Sequence, residues 1–171
     1  MKSPGIKNSD ISPYDIFISY RKIDGYEYAL MLQKELEKRG LSIFVDDEDL
    51  GNGPFHGGVF LTIENTPIFL VILSPSYFDG IDNDKDWVAK ELNRAIESKR
   101  TICLVNPNHL FPGIPENAPD SIKKAIVSLQ IWDVAFEGYK SSSFYNFINH
   151  LINHVIKRDT QKTPLFVSYS R

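Results

Sequence analysis

The chain has 171 residues, 42% hydrophobic and 24% charged, with a formal net charge of -3. That is enough for one domain with a sizeable core and ordinary for a soluble globular protein. No long basic run marks nucleic acid or an anionic membrane as a partner, and no apolar run approaches the roughly 20 residues of a membrane span. The single cysteine, Cys103, excludes an intrachain disulfide framework. Together with a start, Met1 to Gly5, that lacks the apolar core of a secretory signal, it points to a cytoplasmic protein.

Short strand-like runs alternate with helical patterns along the chain. The first strand is read at Asp15 to Tyr20, followed by a helix whose Ala29, Leu32 and Leu36 share one face and which stops at Gly40. The second strand is read at Ser42 to Asp46, and the loop after it, Asp47 to Phe55, is polar and glycine-rich. Ile68 to Leu73 is apolar throughout, as a strand covered on both faces of a parallel sheet must be. Asp86 to Leu92 opens an amphipathic helix with Val88, Leu92, Ala95 and Ile96 on its core stripe. A fourth strand at Thr101 to Val105 carries Cys103, read as a small buried hydrophobe rather than a nucleophile. An irregular connection, Asn106 to Asp120, leads to a fifth strand at Val127 to Ile131. The last helix buries Phe144, Phe147, Ile148, Leu151, Ile152 and Val155.

Five strands alternating with helices predict a three-layer α/β fold with helices on both sheet faces. In such folds the ligand crevice opens at the carboxyl ends of the strands, where Tyr20, Arg21, Asp46 and Ser74 fall. Trp87 and Glu91 stand one helical turn apart, so an aromatic plane and a carboxylate share a face at the rim of the core. Such a pair suits a sugar-linked ring and its hydroxyls, or serves as packing beside a solvated charge. Tyr20 and Arg21 equally suit a ligand pocket or a strand end paired with an acidic neighbour. Asp46 is either a ligand contact or a turn residue, and Trp132 either a contact or a packing residue.

Other chemistries find less support. His150 and His154 have the i,i+4 spacing of a metal pair but lie off the apolar stripe with no matching carboxylate, and read as exposed helix histidines. The glycines of Gly51-Asn52-Gly53 and Gly57-Gly58 do not complete a phosphate-binding fingerprint. Ser19, Ser74 and Ser76 lack a base nearby in sequence, so a hydrolase triad is unsupported.

Taken in order, Phe17-Ile18-Ser19-Tyr20-Arg21, then Phe44-Val45-Asp46 through Gly53, then Leu73-Ser74-Pro75-Ser76-Tyr77 followed by Trp87 and Glu91-Leu92, resemble the motifs of a Toll/interleukin-1 receptor (TIR) domain. The resemblance covers roughly residues 14 to 157 and implies a flavodoxin-like sheet of order 2-1-3-4-5. It is closer to the TIR domains that cleave NAD, among them bacterial antiviral-defence proteins and the animal axon-degeneration enzyme. On that resemblance Glu91 is the catalytic glutamate and Tyr20, Arg21, Asp46, Phe55, Trp87 and Trp132 are substrate-binding positions; Ser74 joins them from its place just past a strand end. Gly51 stands where the animal enzyme carries an acid.

The resemblance implies an NAD glycohydrolase giving nicotinamide and ADP-ribose or a cyclic isomer, in prokaryotic antiviral immunity, with NAD as substrate and neither cofactor nor metal. It also implies self-association through TIR–TIR contacts and a downstream effector that senses the product. A non-catalytic adaptor acting only through TIR–TIR association would share the fold. Residues 1–13 are expected to form a lead and 14–157 the TIR domain. Residues 158–171 are expected to form a linker and β-prone tail, whose Phe166-Val167-Ser168-Tyr169 echoes the first strand and could open a second TIR-like unit.

Overall fold

A computed structural model describes residues 14–46, 56–136 and 141–162. The expected lead (1–13), the loop 47–55 with Phe55, and the tail from residue 163 lie outside the described residues. The elements run β1 (Ile16–Ser19), α1 (Lys22–Lys38), β2 (Ile43–Val45), α2 (His56–Asn65), β3 (Ile68–Ile72), α3 (Trp87–Glu97), β4 (Thr101–Pro107), α4 (Asp120–Ile126), β5 (Ile131–Val134) and α5 (Ser142–Lys162). All neighbouring strands pair in parallel, in the expected order 2-1-3-4-5. Helix α5 continues to Lys162, so residues 158–162 of the expected linker have helical backbone.

Strand alternation divides the core into two layers. Ile16, Ile18, Ile43, Ile68, Leu70, Ile72, Cys103 and Val105 face one way, toward Ala29, Leu32 and Leu36 of α1 and Phe144, Phe147, Ile148, Leu151 and Val155 of α5. Phe17, Phe69, Val71 and Leu104 face the other, toward Ile63 of α2, Val88, Leu92 and Ala95 of α3, and Ile122 and Ile126 of α4. On this second face the register aligns Phe44, Phe17 and Phe69 across three strands, with stacked rings at 5.0 and 5.4 Å. Every residue of β1 and β3 is buried, which accounts for their unbroken apolar or small character. Cys103 sits in this interior, and burial pushes its thiol up to about 11.

The expected fifth strand at Val127 to Ile131 is wrong in register. Helix α4 runs to Ile126, Val127 continues in helical backbone with its N–H on the Lys123 carbonyl, and its side chain is 73% exposed. The strand begins only at Ile131, so Trp132 lies inside β5 rather than after it. Among the described residues no helix is long and apolar enough to cross a membrane.

Candidate functional site

The residues that follow β1 and β2 meet the start of α3, with the loop after β3 beside them. Asp86 ends the preceding loop in extended backbone and caps α3, its Oδ2 accepting from the Ala89 N–H at 2.9 Å. The same carboxylate receives Arg21 in a two-pronged ion pair: Nη1 donates to Oδ1 at 2.6 Å and Nη2 to Oδ2 at 2.7 Å. Arg21 also donates from Nε to the Tyr77 carbonyl at 2.9 Å and from Nη2 to the Asp79 carbonyl. The pairing of Arg21 with an acidic neighbour, one of the arrangements open to it from sequence, is present.

Trp87 follows the cap and projects toward β2, where its Nε1–H donates to Asp46 Oδ2 at 2.7 Å. Its ring lies against Phe60 of α2, centroids 5.3 Å apart, while Arg94 covers the Phe60 ring at 4.6 Å and pairs with Glu64. Asp46 also accepts the Tyr20 hydroxyl on its backbone carbonyl at 2.6 Å. Tyr20, Asp46 and Trp87 therefore form one connected cluster at the ends of β1 and β2.

Glu91, one turn further, is only 2% exposed. Its Oε1 accepts from Ser19 Oγ at 3.1 Å, and Ser19 Oγ lies 2.9 Å from the Tyr77 hydroxyl. Burial is the main cause that holds the Tyr77 phenol far above its ordinary value, with the nearby Glu91 charge acting in the same direction. Ser19 and Tyr77 were not singled out from sequence as site residues. The available signal was alternation: Ser19 is two residues after Phe17 and so shares the face covered by α3.

The other expected site residues lie differently. Ser74 is fully buried at the end of β3, with no hydrogen-bond partner for its Oγ among the described residues. It sits 3.6 Å from where a side chain at Gly25 would begin, so α1 passes very close to it. Its neighbour Ser76 is held by Asp24, through both its N–H and its hydroxyl, at 2.9 and 2.6 Å. Trp132 lies on β5, the strand at the opposite edge of the sheet from β2, and packs on Phe147 and His150. His150 is thereby half-buried rather than exposed, its ring 4.5 Å from that of Trp132; His154 is exposed. No cluster of three or more metal-ligating side chains occurs among the described residues.

A parallel sheet of this order, with a polar cluster where its central strands end, defines a flavodoxin-like α/β domain. The chain belongs to the TIR domain family, whose family model matches residues 16–141. It is similar to the NAD(+) hydrolase SARM1 of Danio rerio, at 33% identity over 70% of this chain and 17% of that protein. The NAD(+) hydrolase tir-1 of Caenorhabditis elegans is 32% identical over 64% of this chain and 12% of its own length. The NAD(+) hydrolase sarm1 of Drosophila melanogaster is 36% identical over 64% and 8% respectively. The chain thus spans less than a fifth of the curated relatives it matches. Among solved structures it resembles the TIR domains of the activated Roq1 resistosome directly recognizing the pathogen effector XopQ, with a TM-score of 0.56 at 15% identity. That likeness covers 83% of this chain and 99% of that one.

Proposed function

We propose that this chain is an NAD glycohydrolase, with residues 14–157 as its TIR unit and Glu91 as the catalytic group. The observation that carries the reading is a carboxylate buried to 2% exposure and hydrogen-bonded to Ser19 at the carboxyl end of β1. The names of relatives 32 to 36% identical to it supply the substrate.

Cleavage breaks the bond between the ribose C1′ and the nicotinamide nitrogen. The bonding pair leaves with the ring, which departs as a neutral molecule and needs no proton. The barrier therefore lies in the positive charge that develops on the ribose. A fixed carboxylate in a site with little water stabilises that charge with little reorganisation, and Glu91 fills this role. Trp87 forms an apolar wall that excludes water. Tyr20 and Asp46 hold the indole through the Asp46 backbone and carboxylate, so they shape the crevice as well as line it. Arg21 and Phe55 belong to the same proposed binding set; Ser74, buried beneath α1, and Trp132, on the far edge strand, are its outlying members. Water adding at C1′ and losing a proton gives ADP-ribose; attack by a nucleophilic atom of the same nucleotide gives a cyclic isomer. Self-association through TIR–TIR contacts and a role in prokaryotic antiviral immunity through a product-sensing effector belong to the same proposal.

The test is incubation of the purified chain with NAD over a range of protein concentrations, followed by chromatography and mass spectrometry. Nicotinamide release by the wild type and a drop of about 100- to 1,000-fold in Glu91→Gln are expected, the size of losing one preorganised charge contact. A wild type that releases none at any concentration favours the adaptor. Release that survives Glu91→Gln removes Glu91 from the chemistry.

A further inference from the structure

Glu91 is a buried carboxylate with a hydroxyl donor on its Oε1. Removing it from water favours its neutral form unless donors replace the lost solvent. A chain of two hydroxyls supplies one such donor. Ser19 has a single hydroxyl proton and gives it to Glu91 Oε1. Its oxygen must then accept from Tyr77, so the order is Tyr77 O–H to Ser19 O–H to Glu91. All three side chains are buried.

Resting on the reading of Glu91 given above, we propose that Ser19 and Tyr77 are positioning residues that hold Glu91 ionised and in one orientation for the reaction. Ser19 acts directly, as the donor that favours the charged form. Tyr77 acts through Ser19: by filling the serine oxygen it stops the hydroxyl from rotating and polarises it toward the carboxylate. A phenol buried this deeply keeps its proton across the working pH range, so the donor persists.

Among the described residues, the charged groups on the elements packed around this site have partners of their own. From the end of β1, Arg21 is paired with Asp86 at the head of α3, and both act on Tyr77. From the end of β2, Asp46 accepts from Trp87. From α2, Glu64 pairs with Arg94. Helix α4 presents Ile122 and Ile126 to this core. On α3 itself Lys90 lies over the Trp87 ring.

The experiment labels glutamate at its carboxyl carbon, assigns the Glu91 resonance with Glu91→Gln, and follows its titration alongside the pH profile of kcat/KM. Ser19→Ala is expected to raise the Glu91 midpoint by about one pH unit, tenfold in proton affinity, for loss of one donor. The acid limb of kcat/KM should move up with it. Tyr77→Phe, which preserves the ring, moves the midpoint the same way by less. Since Tyr77 works through Ser19, the double variant moves it no further than Ser19→Ala alone. A midpoint unchanged in both single variants overturns the proposal, and fully additive shifts overturn the through-serine role of Tyr77. A raised midpoint in a protein whose wild type releases no nicotinamide supports the positioning and overturns the proposed function instead.

Discussion

Asp86 joins two supports of α3 in one carboxylate, and substitutions can separate them. Its Oδ2 caps the helix on the Ala89 N–H, while both oxygens hold the Arg21 guanidinium, and each side chain is 14% exposed. Asparagine caps a helix about as well as aspartate, so Asp86→Asn removes the charge and one acceptor but keeps the cap. Breaking a fully buried pair costs about 3–5 kcal/mol, and the residual exposure here reduces the expected loss to about 2–3 kcal/mol. Asp86→Ala adds the lost cap, about 1 kcal/mol more. For a chain of this size each kcal/mol lowers Tm by about 2–4 °C, so Asp86→Asn should melt roughly 4–12 °C early. Urea unfolding supplies the free energies, and a double-mutant cycle with Arg21→Met isolates the pair, with an expected coupling of about 2 kcal/mol. Arg21→Lys should not restore stability, because an ammonium cannot make the parallel contacts of the guanidinium fork. A loss in Asp86→Asn below about 0.5 kcal/mol, the range of a surface pair, would refute the reasoning.

Two further outcomes follow from the packing. Trp87→Phe retains a ring against Phe60 but removes the donor to Asp46 Oδ2, so urea unfolding should show a loss of about 1.5–3 kcal/mol, typical of a hydrogen bond to a charged group; an unchanged midpoint would mean that bond contributes nothing. His150 is held below its ordinary range by burial first, then by His154 and Lys157. A depressed folded-state value favours the neutral ring, so this stability is present above the unfolded value of about 6.5 and is lost as pH falls through the lower folded value. His150→Phe should therefore gain on the wild type between pH 7 and pH 5 in urea midpoint, and a constant difference across that range would rule out the linkage.

The layers were legible in the sequence because their signals are local. Ile68 to Ile72 is apolar at every position and is a central strand; Val88, Leu92 and Ala95 repeat at helical spacing and meet the sheet. The fifth strand lies later than the sequence pattern predicts because apolar density is ambiguous over short runs. Val127 is an exposed residue at a helix end, whereas Ile131 to Val134, with its exposed aspartate, is an edge strand. The residue types at the crevice were legible too, but their partners were not. Ser19 and Glu91 are 72 residues apart, and Arg21 and Asp86 are 65 apart. No spacing rule links such positions; only the order of strands does. The cover over His150 is hidden from the sequence for the same reason, since the ring that supplies it comes from β5.

These pairings bear on how the motif residues divide their work. The cap and the first five residues of α3, Asp86 to Glu91, are held at three points: Asp86 by Arg21, Trp87 by Asp46, and Glu91 by Ser19. Arg21 and Ser19 flank the end of β1, and both reach Tyr77, one through its backbone carbonyl and the other through its hydroxyl. A shift of the loop that carries Tyr77 would disturb the cap of α3 and the donor to Glu91 together. The guanidinium of Arg21, engaged with Asp86 and two backbone carbonyls, is thus built first as a strut that sets where α3 begins. Under the proposed function, a change at Arg21 would also act through the placement of Trp87 and Glu91, since a misplacement of about 1 Å far from the chemistry can cost about 100-fold in rate.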